Sequence, residues 1–395
     1  MIVGVIGQGY VGLPLAKVLV EAGHKVYGID INSVLVEQIK SGVSHVEDIS
    51  NNELECMFQS QMYFPISNFS VIDSCEIVVI CVPTPLKSDG SPDLSYLDSA
   101  MDLILMYLQK GVLIILESTS FPGTTRTNVF KKVVDGRNWS EEDFFCAFSP
   151  ERVDPLNKDW NLKNTPKLVS GVNDVSYLKA AKFYSTFVER IIEVKSVEEA
   201  EFAKLIENAF RLVNISFVNE MLKLARMAKL DIGVILNAAE TKPYGYHRFT
   251  PGIGAGGHCI PVDPVYLKEY ASSLNTELPV LSSAIEINAG MPAFHANEVL
   301  ELLNRCNASH PRALLVGVSY KPGVADVRES QAIRLMEELH SHGVEMHWDD
   351  PLVSEASVGS KHKSSNIYDI VILNHSWISK DEYQVNSDGQ FYTVS

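Results

Sequence analysis

The sequence predicts two doubly wound α/β domains joined by a helical middle domain with a long connecting helix. Three observations carry this. Short β-branched runs alternate with amphipathic stretches over the first third, a long helical stretch opens near residue 197, and strand–helix alternation returns from 312. Such alternation places helices on both faces of a mostly parallel sheet. "MIVGVIG" (1–7), "KVYGID" (25–30), "EIVVICV" (76–82) and "VLIILES" (112–118) read as buried parallel strands, apolar on both faces. Segments 11–22 and 94–109 carry helical periodicity. "SVEEAEFAKLIENAFRLVNISFVNEMLKLARMAKLD" reads as one long helix, with Ser196 as its N-cap and Glu198 and Glu199 in the first turn, where carboxylates favour the helix dipole. A second helical run covers 279–305. "RALLVGVSY", "SQAIRLMEELHSHG", "VEMHWD" and "YDIVILNHS" then resume the α/β alternation. The boundaries that follow are 1–195, 196–305 and 306–395.

A chain of 395 residues is too long for one ordinary core. Its net charge of -16 argues against nucleic acid or an anionic membrane surface as the main partner, since both require clustered Lys and Arg. An anionic small substrate fits if a few cations converge. The six cysteines, Cys56, Cys75, Cys81, Cys146, Cys259 and Cys306, are scattered without Cys-x-x-Cys or metal-ligand spacing. That usage predicts a reducing, cytoplasmic setting and no metal. The apolar start has no basic residue before Lys17, unlike a secretory leader, and no apolar run reaches spanning length.

"VIGQGYVGLPLA" places Gly7, Gly9 and Gly12 in Gly-x-Gly-x-x-Gly spacing after a strand and at the opening of a helix, with Tyr10 and Val11 between them. In that context the pattern is a dinucleotide fingerprint, because the helix N-terminus offers free N–H groups to a pyrophosphate. Asp30 ends the next strand, where a ribose hydroxyl acceptor belongs. Ile31 and Asn32 follow it, with no arginine for a 2′-phosphate, so NAD is favoured over NADP. Pro83 and Thr84 in "CVPTP", and Ser118 and Thr119 in "ESTSFPGTT", follow later strands on the same predicted rim. Each is also ordinary turn chemistry, but together they mark a cofactor crevice.

"GIGAGGHCIPVDP" (252–264) sets Cys259 between a glycine cluster and a Pro-x-Asp. Glycines allow close approach of backbone to ligand, which suits a nucleophile; a small buried thiol beside a tight turn reads equally well from these residues alone.

With these pieces in place, the chain resembles the UDP-glucose/GDP-mannose dehydrogenase family of nucleotide-sugar 6-dehydrogenases. The matching motifs are "GQGYVGLPLA", "VPTP", "STSFPGTT", "FSPERVDP", "EFAKLIENAFR", "GAGGHCIPVDP" and "SYKPGVADVRES", in the family's order from residue 1 to about 375. "TKPYGYHRFTPGIGAGGHCIPVDPVYL" looks like the branch acting on UDP-N-acetylhexosamines, nearest to the UDP-N-acetylglucosamine 6-dehydrogenases, with UDP-N-acetylmannosamine, UDP-N-acetylgalactosamine and UDP-glucose as the alternative substrates. UDP-glucose enzymes usually carry a different residue before the cysteine and a lysine where Val262 stands. The resemblance implies a four-electron oxidation of a sugar CH2OH to a carboxylate with two NAD reduced in turn. Cys259 would hold the intermediate as thiohemiacetal and then thioester.

The same resemblance assigns the helpers. Lys204 and Asn208, four apart on one predicted helix, would reach the same spot, the ammonium favouring thiolate and the amide donating to an oxyanion. Asp263 would handle protons; Thr119 and Glu151 would orient water at the thioester. Substrate anion contacts are expected from Glu151 and Arg152, the glycine backbone including Gly256, Lys321 and Arg328, with Arg328 also among the cofactor contacts. Arg248 would reach a neighbouring subunit's substrate, since the family forms homodimers or higher homo-oligomers through its middle helices. His258 reads as a packing or substrate-shaping residue, and the other five cysteines as core.

The C-terminus departs from the family. "ISKDEYQVNSDGQFYTVS" is short and polar and lacks the usual ending, so a last strand that is either abbreviated or unconventional is expected. Two other functions fit these residues less well. An ordinary two-electron dehydrogenase needs no cysteine in a Gly-Gly-His-Cys element, and a non-catalytic NAD-binding module needs none of Lys204, Asn208, Cys259 and Asp263.

Overall fold

The computed structural model describes residues 1–394 apart from 155–156, 158, 307–309 and 375–378. It divides into two compact units, Met1–Glu207 and Asn208–Ser395. The helical segment expected over 196–305 is therefore shared between the units, most of it in the second. No helix among the described residues is long and apolar enough to cross a membrane.

The first unit opens with β1 (Ile2–Ile6), α1 (Gly12–Glu21), β2 (Lys25–Ile29), α2 (Ser33–Lys40), α3 (Asn51–Gln59) and β3 (Tyr63–Ile66). It continues with β4 (Ile77–Ile80), α4 (Ser95–Leu105), β5 (Leu113–Leu116), α5 (Lys131–Arg137) and β6 (Phe145–Phe148). β7 (Lys167–Gly171), α6 (Asp174–Tyr184) and β8 (Ile191–Glu193) complete it, before α7 (Val197–Met227) begins. The strands form one sheet in the order β3-β2-β1-β4-β5-β6-β7-β8. Alternate strand residues enter opposite cores: Val3, Val5, Val79 and Ile115 pack on one face, and Val78, Ile80, Ile114 and Leu116 on the other. This explains why β4 and β5 read as unbroken apolar runs.

All four strands expected from the first third are present. The sequence reading did not find β3, whose "YFPI" contains Pro65, nor β6 to β8. Among these, β6 and β7 pair antiparallel, the one reversal in an otherwise parallel sheet. Because β1, β4, β5 and β6 run the same way, their C-terminal ends share a rim. The reversal brings the first residue of β7, Lys167, to that same rim. At the start of α7, Ser196 Oγ accepts the Glu199 N–H at 3.2 Å, as its N-cap assignment required.

In the second unit, α7 is followed by α8 (Ile232–Glu240), α9 (Asp263–Ser273), α10 (Pro279–Ala289) and α11 (Met291–Arg305). Gly290 splits the run expected over 279–305 into α10 and α11, each with a proline in its first turn. Then come β9 (Arg312–Val316), α12 (Gln331–Ser341), β10 (Glu345–Asp349), β11 (Ser360–Lys361), β12 (Tyr368–Leu373) and β13 (Val385–Thr393). Their parallel sheet has the order β11-β10-β9-β12-β13.

Of the two expectations for the last strand, abbreviation is corrected by β13, which has nine residues, while its parallel pairing with β12 is irregular, with a register shift between Tyr368 and Ile370. Its polar first half lies on the sheet's edge. Its end is secured by Tyr392 and Val394, which are buried in the core, and by Arg226, whose Nη2 donates to the Thr393 carbonyl at 2.9 Å.

Candidate active site

The glycine fingerprint forms the turn between β1 and α1. Gly7 has φ +88°, and a Cβ there would lie 2.5 Å from the Cys81 carbonyl oxygen. At Gly12 a Cβ would lie 1.8 Å from the Gly7 carbonyl oxygen, whereas Gly9 borders open space. The outer glycines thus make the turn and the close helix–strand packing, and the middle one leaves room for a pyrophosphate. Tyr10 and Val11 are half-buried on this turn. Asp30, half-buried after β2, accepts the Gln8 N–H on Oδ2 at 2.8 Å and the Asn32 N–H on Oδ1 at 2.9 Å. Gln8 is itself buried beneath the turn, donating to the Val5 carbonyl at 2.9 Å and accepting the Tyr63 hydroxyl at 2.7 Å. A glycine cradle backed by an acid at the next strand end fits NAD.

Along the rim, Pro83 is exposed, Thr84 and Ser118 are buried, and Thr119 is half-buried. Ser118 Oγ donates to the Val82 carbonyl at 2.8 Å, tying the ends of neighbouring strands together. The loop after Thr119 is held by Glu201 of α7, a residue the sequence reading passed over. Its buried carboxylate accepts the Gly123 N–H at 2.6 Å, the Thr125 N–H at 2.7 Å and the Thr125 hydroxyl at 2.6 Å. Burial raises its pKa to about 7, against the pull of those donors. Lys204, three residues further along α7, is half-buried.

After β6, Glu151 Oε1 accepts the N–H groups of Arg152 and Val153 at 2.8 and 2.6 Å, and Oε2 lies 3.5 Å from Lys167 Nζ. Lys167 also donates to the buried Glu117 at 3.1 Å, and Tyr184 donates to the other Glu117 oxygen. Burial opposes the Lys167 charge, but the two carboxylates outweigh it and raise its pKa, so the ammonium persists. Neither Glu117 nor Lys167 stood out in the sequence, although an acid ending an apolar strand and a lysine opening one were the available signals. Arg152, expected to meet a substrate anion, has its guanidinium on Glu207 at 2.7 Å and on the Pro166 carbonyl at 2.6 Å.

In the second unit, Cys259 is exposed at the end of the glycine loop. Its carbonyl accepts the Asp263 N–H at 2.9 Å, so the two residues bracket one turn leading into α9. Asp263 is buried and accepts from Asn208 Nδ2 at 2.5 Å. The nucleophile candidate, the acid and the amide are therefore joined through one turn and one hydrogen bond. On one side the loop is in close packing with the segment after β9: a Cβ at Gly257 would lie 2.7 Å from the Tyr320 ring, and one at Gly256 2.7 Å from the Glu329 carbonyl oxygen. Lys321 follows Tyr320 in this segment and is half-buried.

Arg328 is held by Asp326 at 2.6 Å with its side chain half-exposed. Arg248, four residues before Gly252, donates to Asn237 at 2.6 Å and Glu240 at 2.8 Å. His258 loses basicity through burial and then through the nearby Arg328 charge, in keeping with a packing role. Of the remaining cysteines, Cys75, Cys81 and Cys146 are buried. Cys56 is exposed on α3 and Cys306 half-buried after α11, so neither is the core residue expected.

The NAD-binding domain of the UDP-glucose/GDP-mannose dehydrogenase family matches residues 1–188, its central domain 198–290 and its UDP-binding domain 314–384. The chain is 34% identical over 363 residues to a UDP-N-acetyl-D-mannosamine dehydrogenase of Pyrococcus horikoshii, covering 89% of this chain and 84% of the relative. It is 32% identical over 360 residues to a UDP-N-acetyl-D-glucosamine 6-dehydrogenase of Pseudomonas aeruginosa, covering 89% and 83%. A solved structure of a UDP-D-ManNAc dehydrogenase from Pyrococcus horikoshii superposes with a TM-score of 0.86 at 29% identity, covering 100% of this chain and 99% of that one. With its NAD fingerprint and all three family domains, the chain belongs to the UDP-glucose/GDP-mannose dehydrogenase family and is an NAD-dependent nucleotide-sugar dehydrogenase.

Proposed function

We propose that this protein oxidises the C6 hydroxymethyl group of a UDP-N-acetylhexosamine to a carboxylate through covalent intermediates on Cys259, supplying a uronic acid for surface polysaccharide or glycan assembly in the cytoplasm. The observation that carries the reading is the exposed Cys259, one turn from a buried Asp263 that Asn208 holds by its amide. NAD, when bound, accepts a hydride in each of the two oxidations.

The residues have distinct tasks. Cys259 sulfur adds to the C6 aldehyde, retaining it as a thiohemiacetal, and remains bonded to carbon in the thioester that follows. Hydrolysis breaks the C–S bond, places the water oxygen on carbon and returns the thiolate. Lys204 supplies positive charge for thiolate and oxyanion, Asn208 an amide donor, Asp263 a proton acceptor, and Thr119 and Glu151 orientation of the water. The Gly7–Gly12 turn, Asp30, Pro83, Thr84 and Ser118 receive NAD. Lys321, Arg328 and the Gly256 backbone receive the diphosphate and sugar, with Arg248 reserved for a neighbouring subunit. A homodimer is supported by Phe210, Phe217, Leu224 and Met227, which expose apolar side chains along α7, and by Leu230, Val234 and Ile235 on and before α8.

The sugar is read as N-acetylglucosamine from the 241–267 motif, and the relative at 34% identity named for N-acetylmannosamine favours that epimer as a second reading. Turnover on the two UDP-sugars side by side, with UDP-glucose as a third, tests the assignment. The preferred substrate is expected to show a kcat/KM at least about tenfold above the others, since a misplaced hydroxyl leaves buried polar groups unpaired. Preference for UDP-glucose would overturn the N-acetylhexosamine reading.

A further inference from the structure

The glycine loop that ends in Cys259 has no regular secondary structure between Pro251 and Cys259, so its buried backbone groups need partners elsewhere. Three buried side chains from three helices provide them. Asn219 of α7 accepts the Gly252 N–H on Oδ1 at 2.8 Å, and His295 of α11 places Nε2 3.3 Å from the Gly252 carbonyl oxygen. Asn288 of α10 engages both groups of Ala255, accepting its N–H at 2.6 Å and donating to its carbonyl at 3.0 Å, as a neighbouring strand would. Ala255 is four residues before Cys259, and Asp263, fixed by Asn208, is four residues after it. The sulfur is therefore carried on a short segment pinned at both ends.

Two features separate this clamp from ordinary core packing. Asn219 is fully buried, yet its Nδ2 makes no hydrogen bond among the described residues. That orphaned N–H is a cost that packing alone does not explain. What Asn219 contributes is the grip of its Oδ1 on Gly252. The clamp also continues into the C-terminal strand: the Tyr392 hydroxyl lies 2.5 Å from both His295 Nδ1 and Glu298 Oε2, with Arg226 bound to both Tyr392 and Glu298.

We propose that Asn219, Asn288 and His295 are positioning residues for the Cys259 loop, and that Tyr392 makes the C-terminal strand part of that support. The inference rests on the reading of Cys259 as the nucleophile. A misplacement of about 1 Å at a reacting atom can cost on the order of a hundredfold in rate, so a clamp on a glycine-rich loop has a large lever.

The test replaces Asn219 with Leu and follows three quantities. These are thermal stability, the iodoacetamide alkylation rate of Cys259 read from its own peptide, and the KM values for NAD and the UDP-sugar. The expected result is a Tm close to wild type, since losing the orphaned Nδ2 offsets leaving the Gly252 N–H without its acceptor, with alkylation altered about fivefold or more and a sugar KM raised about tenfold at unchanged NAD KM. Tyr392→Phe is expected to move alkylation in the same direction by less. Alkylation and sugar KM at wild-type values, or a loss of activity that only tracks a fall in Tm, would overturn the proposal. Should Asn219→Leu fail to fold, Asn288→Ala is read by the same criteria. Alkylation needs neither NAD nor sugar, so it reports on the clamp even where wild-type turnover fails, and that failure alone would count against the proposed function.

Discussion

The two sheets of this protein contain the same local device and use it differently. In the first unit β1 runs into Gly7, at φ +88°, whose N–H donates to the Ile29 carbonyl at 2.8 Å; the next N–H, of Gln8, goes to Asp30 at the end of β2. In the second, β9 runs into Gly317, at φ +86°, whose N–H donates to the Asp349 carbonyl at 2.8 Å; the next two, of Val318 and Ser319, go to Asp350 at the end of β10. The strand, the left-handed glycine and the acid are shared. The continuation is not. Five residues after Gly7 the chain is already in α1, presenting a helix N-terminus on glycine backbone, whereas the second turn runs through a long loop bearing Lys321 and Arg328 before α12. On the proposed function, one site takes a pyrophosphate on main-chain N–H groups and the other meets an anion with side-chain cations.

The largest test of that contrast is at the helix. Gly12→Val forces side-chain atoms into the Gly7 carbonyl and is expected to abolish NAD binding, measured by fluorescence titration, while Gly317→Ala, at φ +86°, lowers Tm with NAD affinity retained. Normal NAD affinity in Gly12→Val would mean that the two turns do not differ in the way described.

Next in size is the charge buried at the first unit's rim. Lys167→Met leaves Glu117 and Glu151 without their shared cation and is expected to destabilise the protein by about 3–5 kcal/mol in urea unfolding. The Cys259 loop instead has the Asn219 and Asn288 amides and the His295 ring as partners.

The units are also expected to respond oppositely to pH. Glu201, with its pKa raised by burial from 4.5 to about 7, contributes stability to the first unit that is present at low pH and lost as pH rises through about 7. His295 is shifted from 6.5 down to about 3 by burial, with Arg226 and Lys223 adding to it, so its contribution to the second unit is present above 6.5 and lost as pH falls toward 3. Each effect is on the order of 3 kcal/mol over its full window. Hydrogen exchange at about pH 5 and about pH 8 should show the first unit loosening on the alkaline side and the second on the acid side, with Glu201→Gln flattening the former. A shared trend in both units would contradict the assignment.

The smallest effect distinguishes the two acids. Asp30→Ala is expected to weaken NAD binding about tenfold or more with the sugar KM unchanged, whereas Asp350→Ala, leaving the Val318 and Ser319 N–H groups without their acceptor, costs about 1–3 kcal/mol of stability with little change in NAD affinity.

This comparison also shows what the sequence could express. Gly7, Gly12 and Asp30 were legible because a turn at positive φ, a 1.8 Å approach and a strand-end acceptor each demand a residue type at a fixed spacing. The Cys259 turn was legible as a motif, and its link to Asp263 follows from a four-residue step. Glu201 was not, since "EEAEF" at the start of a helix looks like a solvated acidic face. Its burial depends on Gly123 and Thr125, more than seventy residues earlier. Lys167, Glu117 and Tyr184 meet only because β7 reverses beside β6, which no local pattern announces. The clamp on the glycine loop joins α7, α10 and α11 to one loop, with β13 behind it, and β13 itself was obscured by its polar "VNSDGQ" half.

The most direct measurement is the NADH yield per limiting UDP-N-acetylhexosamine, together with the intact mass of the quenched enzyme, for the wild type and Cys259→Ser. Two NADH per sugar, a sugar-sized adduct on the wild-type chain, and a variant that neither completes turnover nor accumulates the adduct are the predicted results. One NADH per sugar, or full turnover by Cys259→Ser, would contradict the covalent route.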